Sequence, residues 1–191
     1  ENQVIGQNIS VNDLYEKLKI EGFNRSLKWK SSGKKYDFQE KNVLKMIKYN
    51  SAASFSVPGS GKTTEALAYY AFKKDKNTKI VVICPKNAFQ SWDNELNDRM
   101  VAKEKISGCF SSHEKFYRIQ SKKDIELKLR AKPNLLINYE RINSIKNELS
   151  EYLKTTKNHN VILILDESHR MKAGYRGQWG TNILSLSDLP K

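Results

Sequence analysis

Val11, Leu14, Tyr15 and Leu18 recur at i, i+3, i+4 and i+7, the spacing that lines one face of a helix. Ser10 stands where an N-cap belongs, and Gly22 falls just past the end. Ser31-Ser32-Gly33-Lys34-Lys35 reads as a linker. A second helix follows, with Phe38, Val43, Leu44 and Ile47 on one face.

From Ser51 short apolar runs alternate with helical periods. Ala52 to Ser56 reads as a short strand, then a glycine-rich turn, then a helix through Phe72. Lys79 to Cys84 is a buried strand stopped by Pro85, and Asn87 to Leu96 is helical. Met100 to Phe116 is irregular and polar, a surface excursion. Strands are expected at Phe116–Gln120 and Leu135–Asn138, with helices at Lys122–Arg130 and Ile142–Leu153. Val161 to Leu165 is apolar without a break, which predicts a strand covered on both faces. This alternation predicts an α/β fold, a parallel sheet flanked by helices. The expected division is an N-terminal helical appendage and linker over 1–34 and one lobe over 35–191.

The composition narrows this picture without redrawing it. Hydrophobic residues make up 38% and aromatics 10% of the 191 residues, enough for a packed core. No apolar run approaches about 18 residues, so no membrane span is expected. The start, Glu1-Asn2-Gln3-Val4, is neither basic nor apolar and suggests no secretory signal. The two cysteines, Cys84 and Cys109, cannot build a disulfide framework, and Cys84 closes an apolar run as an inert buried thiol would. An intracellular setting is expected, cytoplasmic, nucleoid-associated or nuclear. A net charge of +13 favours a polyanionic partner, with ten Lys/Arg against three acids between Lys17 and Lys48. A solvated basic face reads equally well from charge alone.

The chemistry begins at Ser56-Val57-Pro58-Gly59-Ser60-Gly61-Lys62-Thr63, a P-loop apart from Ser56, where the pattern opens with Gly. A nucleotide's phosphates need donors that approach closely, and Gly59 and Gly61 clear that space around Ser60. Backbone N–H groups of the loop and of the helix start through Thr64 then face the anion. Lys62 would reach the β- and γ-phosphates of ATP, and the Thr63 hydroxyl would ligate Mg²⁺. Asp166-Glu167 ends the Val161–Leu165 strand about 100 residues beyond Lys62. There Asp166 would hold Mg²⁺ through its waters, and Glu167 would orient or deprotonate the attacking water.

These residues resemble a family. Asp166-Glu167-Ser168-His169-Arg170-Met171-Lys172 is similar to the Asp-Glu-Ala-His box of superfamily-two helicases, most of all the Swi/Snf-type translocases. Phe38-Gln39 resembles their adenine-reading element, Val82-Ile83-Cys84-Pro85-Lys86 with Trp92 and Glu95 their motif Ia, and Leu136-Ile137-Asn138-Tyr139-Glu140 their motif Ib. The resemblance covers Tyr36 to Leu189. It implies a RecA-like P-loop lobe that binds ATP and Mg²⁺ and works on nucleic acid, duplex DNA by the Swi/Snf likeness. Gln39 would then read adenine, Pro85, Lys86, Asn138 and Tyr139 would meet the nucleic-acid backbone, and His169 would link the two sites. Ser56, Ser168 and the residues before Gln39 depart from the family pattern. Trp92 reads more simply as a core anchor, Tyr139 equally as packing, and His113 and His159 carry no case.

A helicase core of this kind hydrolyses ATP between two RecA-like lobes, and the resemblance reaches only the first. The expectation is therefore a longer polypeptide in which motif III follows Leu189-Pro190 and a second lobe supplies arginine fingers. Such fingers are worth roughly 10³–10⁵ in rate, so the present residues alone should bind ATP weakly and hydrolyse it little. Two other readings share these residues: a nucleotide-gated partner-binding module, and a restriction- or packaging-type P-loop ATPase. Pro85-Lys86, Trp92 and His169 favour the motor.

Overall fold

The computed structural model describes residues 9–31, 34–49, 51–96, 108–110, 114–128, 131–154, 159–171 and 178–187. Its elements, in order, are α1 (Val11–Ile20), β1 (Trp29–Ser31), β2 (Lys34–Tyr36), α2 (Phe38–Ile47), α3 (Lys62–Lys73), β3 (Thr78–Cys84) and α4 (Phe89–Leu96). They continue with β4 (Phe116–Ile119), α5 (Lys122–Lys128), β5 (Asn134–Asn138), α6 (Ile142–Leu153), β6 (Asn160–Leu165) and α7 (Gln178–Ser187). They form two compact units, one of Glu1–Lys74 with Trp92–Glu114, the other of Asp75–Ser91 with Lys115–Lys191.

The second unit holds a four-stranded sheet in the order β4-β5-β3-β6, every neighbouring pair parallel. Its register sets whole rows of side chains on one face: Ile119, Ile137, Ile83 and Leu165 in one row, Tyr117, Leu135, Val81 and Leu163 in the next. Those rows pack on Ile125 of α5, on Ile142, Ile145, Leu149, Tyr152 and Leu153 of α6, and on Ile183 and Leu186 of α7. A parallel pair needs a crossover between its strands; α5 supplies it from β4 to β5, and α6 carries the chain from β5 past β3 to β6. The expected parallel sheet with flanking helices is what forms. The helix over α7 has no counterpart in the sequence reading.

In the first unit α1, α2 and α3 pack on one another. A capping box starts α1: the Ser10 hydroxyl accepts from the Asp13 N–H, and the Asp13 carboxylate accepts from the Ser10 N–H. Leu14 and Leu18 are its buried residues, whereas Val11 lies outside. The buried side of α2 is Gln39, Glu40, Val43 and Ile47: Val43 and Ile47 lie on the expected face, whereas Phe38 and Leu44 are only half-buried and Gln39 and Glu40 take the inward places. Residues expected as a linker contribute instead to an antiparallel pair, β1 with β2, in which Trp29 faces Tyr36. The excursion expected at Met100–Phe116 lies mostly outside the described residues, but Gly108, Cys109 and Phe110 are buried, and Phe110 meets Phe23 and Tyr70 edge to face.

Two strand expectations are corrected. Residues 52–56 make no ladder among the described residues. Their alternation turns Ser54 and Ser56 toward Asn42 and Glu65, and leaves Phe55 at 94% exposure. A strand exists only through its partner, and here the inward side chains are polar. β6 forms, yet only Val161 is fully buried, while Ile162 to Leu165 stay half-buried. The cause is its place at the sheet edge, with β3 as its one strand partner among the described residues.

Candidate functional site: the P-loop and the carboxyl edge of the sheet

The turn before α3 has Gly59 at φ 78° and Gly61 at φ 83°, both in the left-handed region that residues with a Cβ resist. At Gly61 a Cβ would come within 2.2 Å of the Gln39 side-chain nitrogen. That nitrogen donates to the Ser60 carbonyl at 2.8 Å, so α2 clamps the loop from its buried side. The Lys62 ammonium folds back on the loop, donating to the carbonyls of Ser56 at 2.9 Å and Val57 at 3.2 Å. The Ser60 hydroxyl, on a residue 8% exposed, has no hydrogen-bond partner among the described residues. Buried hydroxyls are normally satisfied. This one sits in a glycine turn at a helix N-terminus, where an anion's oxygens would meet it. Thr63 is half-buried beside it, and Thr64 is buried.

Beneath the loop the sequence reading missed a polar cluster. Glu65 is fully buried on α3 and accepts from Asn42 at 3.1 Å and from Ser54 at 3.3 Å. Burial pushes its carboxyl above the usual range, opposed by those hydrogen bonds and by the Lys62 charge. A glutamate four residues into an amphipathic helix looks solvated in sequence. Only the opposing Ser54 and Asn42 disclose its burial.

The second unit gathers the other predicted residues along one edge. Because β3, β5 and β6 run parallel, with Ile83 level with both Ile137 and Leu165, their carboxyl ends open side by side. Pro85 and Lys86 leave β3; Pro85 is buried and Lys86 exposed at the head of a 3-10 turn. Asn138 ends β5 at 8% exposure, its side-chain oxygen accepting from the Arg141 N–H at 3.0 Å. Tyr139 is a core residue at 2% exposure whose hydroxyl donates to the Asp166 carbonyl at 2.7 Å. Asp166 is tied back to β3 through its N–H on the Ile83 carbonyl at 2.9 Å. Glu167 then takes φ 54°, a left-handed conformation rare for a residue with a side chain, in which its carboxylate meets His169 Nδ1 at 2.9 Å. Both side chains are exposed. Strain of this kind concentrates at functional turns.

A parallel sheet flanked by helices, with a P-loop of this geometry and an acidic turn at the carboxyl edge of its strands, defines a helicase-like ATP-binding domain of RecA-like fold. The family described as Type III restriction enzyme, res subunit, matches residues 11–187, and the chain belongs to it. No individual curated protein matches significantly. Among the described residues no helix is long and apolar enough to cross a membrane.

Proposed function

We propose that this chain is the ATP-binding lobe of a nucleic-acid-dependent motor that translocates on duplex DNA. The observation that carries the nucleotide half is the P-loop: two left-handed glycines, a buried Ser60 hydroxyl without a partner among the described residues, and a Lys62 ammonium resting on loop carbonyls. With ATP bound, Lys62 exchanges those carbonyls for β- and γ-phosphate oxygens, and the N–H groups from Gly59 to Thr64 meet the rest of the anion. Gln39 reads adenine, its amide already tied to the loop it would report on. Thr63 and Asp166 are the residues that would hold Mg²⁺, whose chemistry is to neutralise charge on the leaving phosphates. Glu167 orients or deprotonates the attacking water, and His169, whose Nδ1 touches the Glu167 carboxylate, couples that turn to the nucleic acid. Lys86 is the exposed phosphate contact at the same edge, with Pro85, Asn138 and Tyr139 shaping it. A second RecA-like lobe of a longer polypeptide completes catalysis.

The family description favours one refinement: the motor serves a restriction-type enzyme rather than a Swi/Snf-type remodeller. Titration of ATP into the chain tests the first half. Lys62→Ala should weaken binding roughly tenfold or more, the scale of a lost charged hydrogen-bond donor. In a protein carrying both lobes, duplex DNA should raise ATP turnover, and Glu167→Gln should abolish turnover while ATP still binds. Turnover that survives Glu167→Gln removes the catalytic assignment, and turnover indifferent to duplex DNA removes the motor.

A further inference from the structure

Glu95 Oε1, near the C-terminal end of α4, is a point where three donors converge. The Thr64 hydroxyl of α3 donates to it, the Cys109 thiol lies at 3.7 Å, and the Arg25 guanidinium pairs with it at 3.0 Å. The Glu95 side chain is 18% exposed and Arg25 37%. Arg25 is not held there by its charge alone. Next to it, the Asn24 N–H donates to the Cys109 carbonyl at 2.9 Å; the Cys109 N–H donates to the Glu95 carbonyl at 2.7 Å, and the Phe110 N–H to the Leu96 carbonyl at 3.0 Å. Phe23 seats edge to face on Phe110, ring centres 5.7 Å apart. The segment after α1 is thus fastened to the end of α4, with its one arginine aimed at the carboxylate.

The position of that carboxylate raises an electrostatic problem. Thr64 lies in the first turn of α3, the turn whose N–H groups and positive dipole end would receive phosphate. A carboxylate bonded to that turn fixes it well, but its negative charge repels the same phosphates. Arg25 cancels the charge and leaves the hydrogen bond to Thr64 in place.

We propose that Arg25 is a positioning residue for the nucleotide site: it neutralises Glu95, so that Glu95 can orient Thr64 and the start of α3 without repelling ATP. This rests on the reading of the P-loop as an ATP site. It also assigns the N-terminal segment a task in nucleotide binding.

The test is ATP affinity of the purified chain by calorimetry at low and high salt, with thermal melting to check folding. Arg25→Ala should weaken ATP binding about tenfold at low salt and less at high salt, with ADP affected less than ATP. Arg25→Lys should keep most of the affinity. Adding Glu95→Gln to Arg25→Ala should restore it, because the repelling charge goes while an acceptor for Thr64 stays. Glu95→Gln alone should bind ATP at least as tightly as the wild type, which decides the matter even if Arg25→Ala does not fold. Unchanged affinity in a folded Arg25→Ala, a double variant no better than the single one, or a loss on Glu95→Gln each overturns the proposal. A wild type that needs Lys62 but not Arg25 to bind ATP sinks this inference alone. A wild type that binds no ATP sinks the nucleotide reading with it.

Discussion

At Gly61 two independent constraints meet on one atom. The backbone stands at φ 83°, and a Cβ would press on Gln39, the side chain that holds the Ser60 carbonyl. Gly61→Ala should therefore cost roughly 1–2 kcal/mol for the left-handed backbone, plus the loss of the Gln39 clamp. Urea unfolding measures the first and ATP titration the second. His159 offers a prediction of another kind. It is 2% exposed, with Nε2 at 2.7 Å from the Tyr152 carbonyl, so the neutral ring donates there. Burial pushes its pKa below 6.5, partly offset by that hydrogen bond and helped by Lys132 and Lys79. The unfolded chain then binds the proton first. The stability from the neutral ring is complete above about pH 6.5 and is lost as pH falls through the lowered folded value. His159→Gln should flatten this acid-side slope in unfolding curves taken from pH 7 to 5; an unchanged slope assigns it to other groups.

Among the elements, α1 shows what local chemistry can announce. Ser10 and Asp13 carry their reciprocal caps within four residues, and Leu14 and Leu18 follow at the right period. Ser10→Ala should cost about 1 kcal/mol, read from the urea midpoint, because it frees one backbone donor at the helix start. The strands show the opposite. β3 and β5 were legible because both sides of each strand are paired and both faces covered, which demands unbroken apolar runs. β6 carries the same apolar signature but lies at the edge, and composition does not say how many neighbours a strand has. Residues 52–56 fail for the related reason that their inward serines answer Asn42 on α2 and Glu65 on α3. On α2 the buried stripe turned toward Gln39 and Glu40 because Gln39 reaches the P-loop, a demand invisible in the helix itself.

For the molecule as a whole, charge is the property that no single contact explains. A net +13 across 191 residues means long-range attraction to any polyanion, and it sharpens with falling salt. If the chain contacts DNA phosphates, log affinity should fall linearly with log salt, losing a slope of about 0.9 for each phosphate neutralised. Lys86→Ala should reduce that slope by roughly one if Lys86 is one of the contacts. A flat salt dependence in a filter-binding or anisotropy series would leave the basic balance as a solvated surface.

The sequence by itself determined the features that depend on neighbours along the chain. These are the glycine turn with its lysine, the serine N-cap, the alternation of strands and helices, and the acidic pair that ends an apolar run. Each is local because sterics, caps and periods act within a few residues. Tertiary structure alone decided which apolar strand became an edge, that Glu65 is buried, that Glu167 adopts a left-handed turn against His169, and that Arg25 reaches Glu95. Those depend on which surfaces meet across long separations, and burial or pairing of a charge is a property of the meeting rather than of either residue.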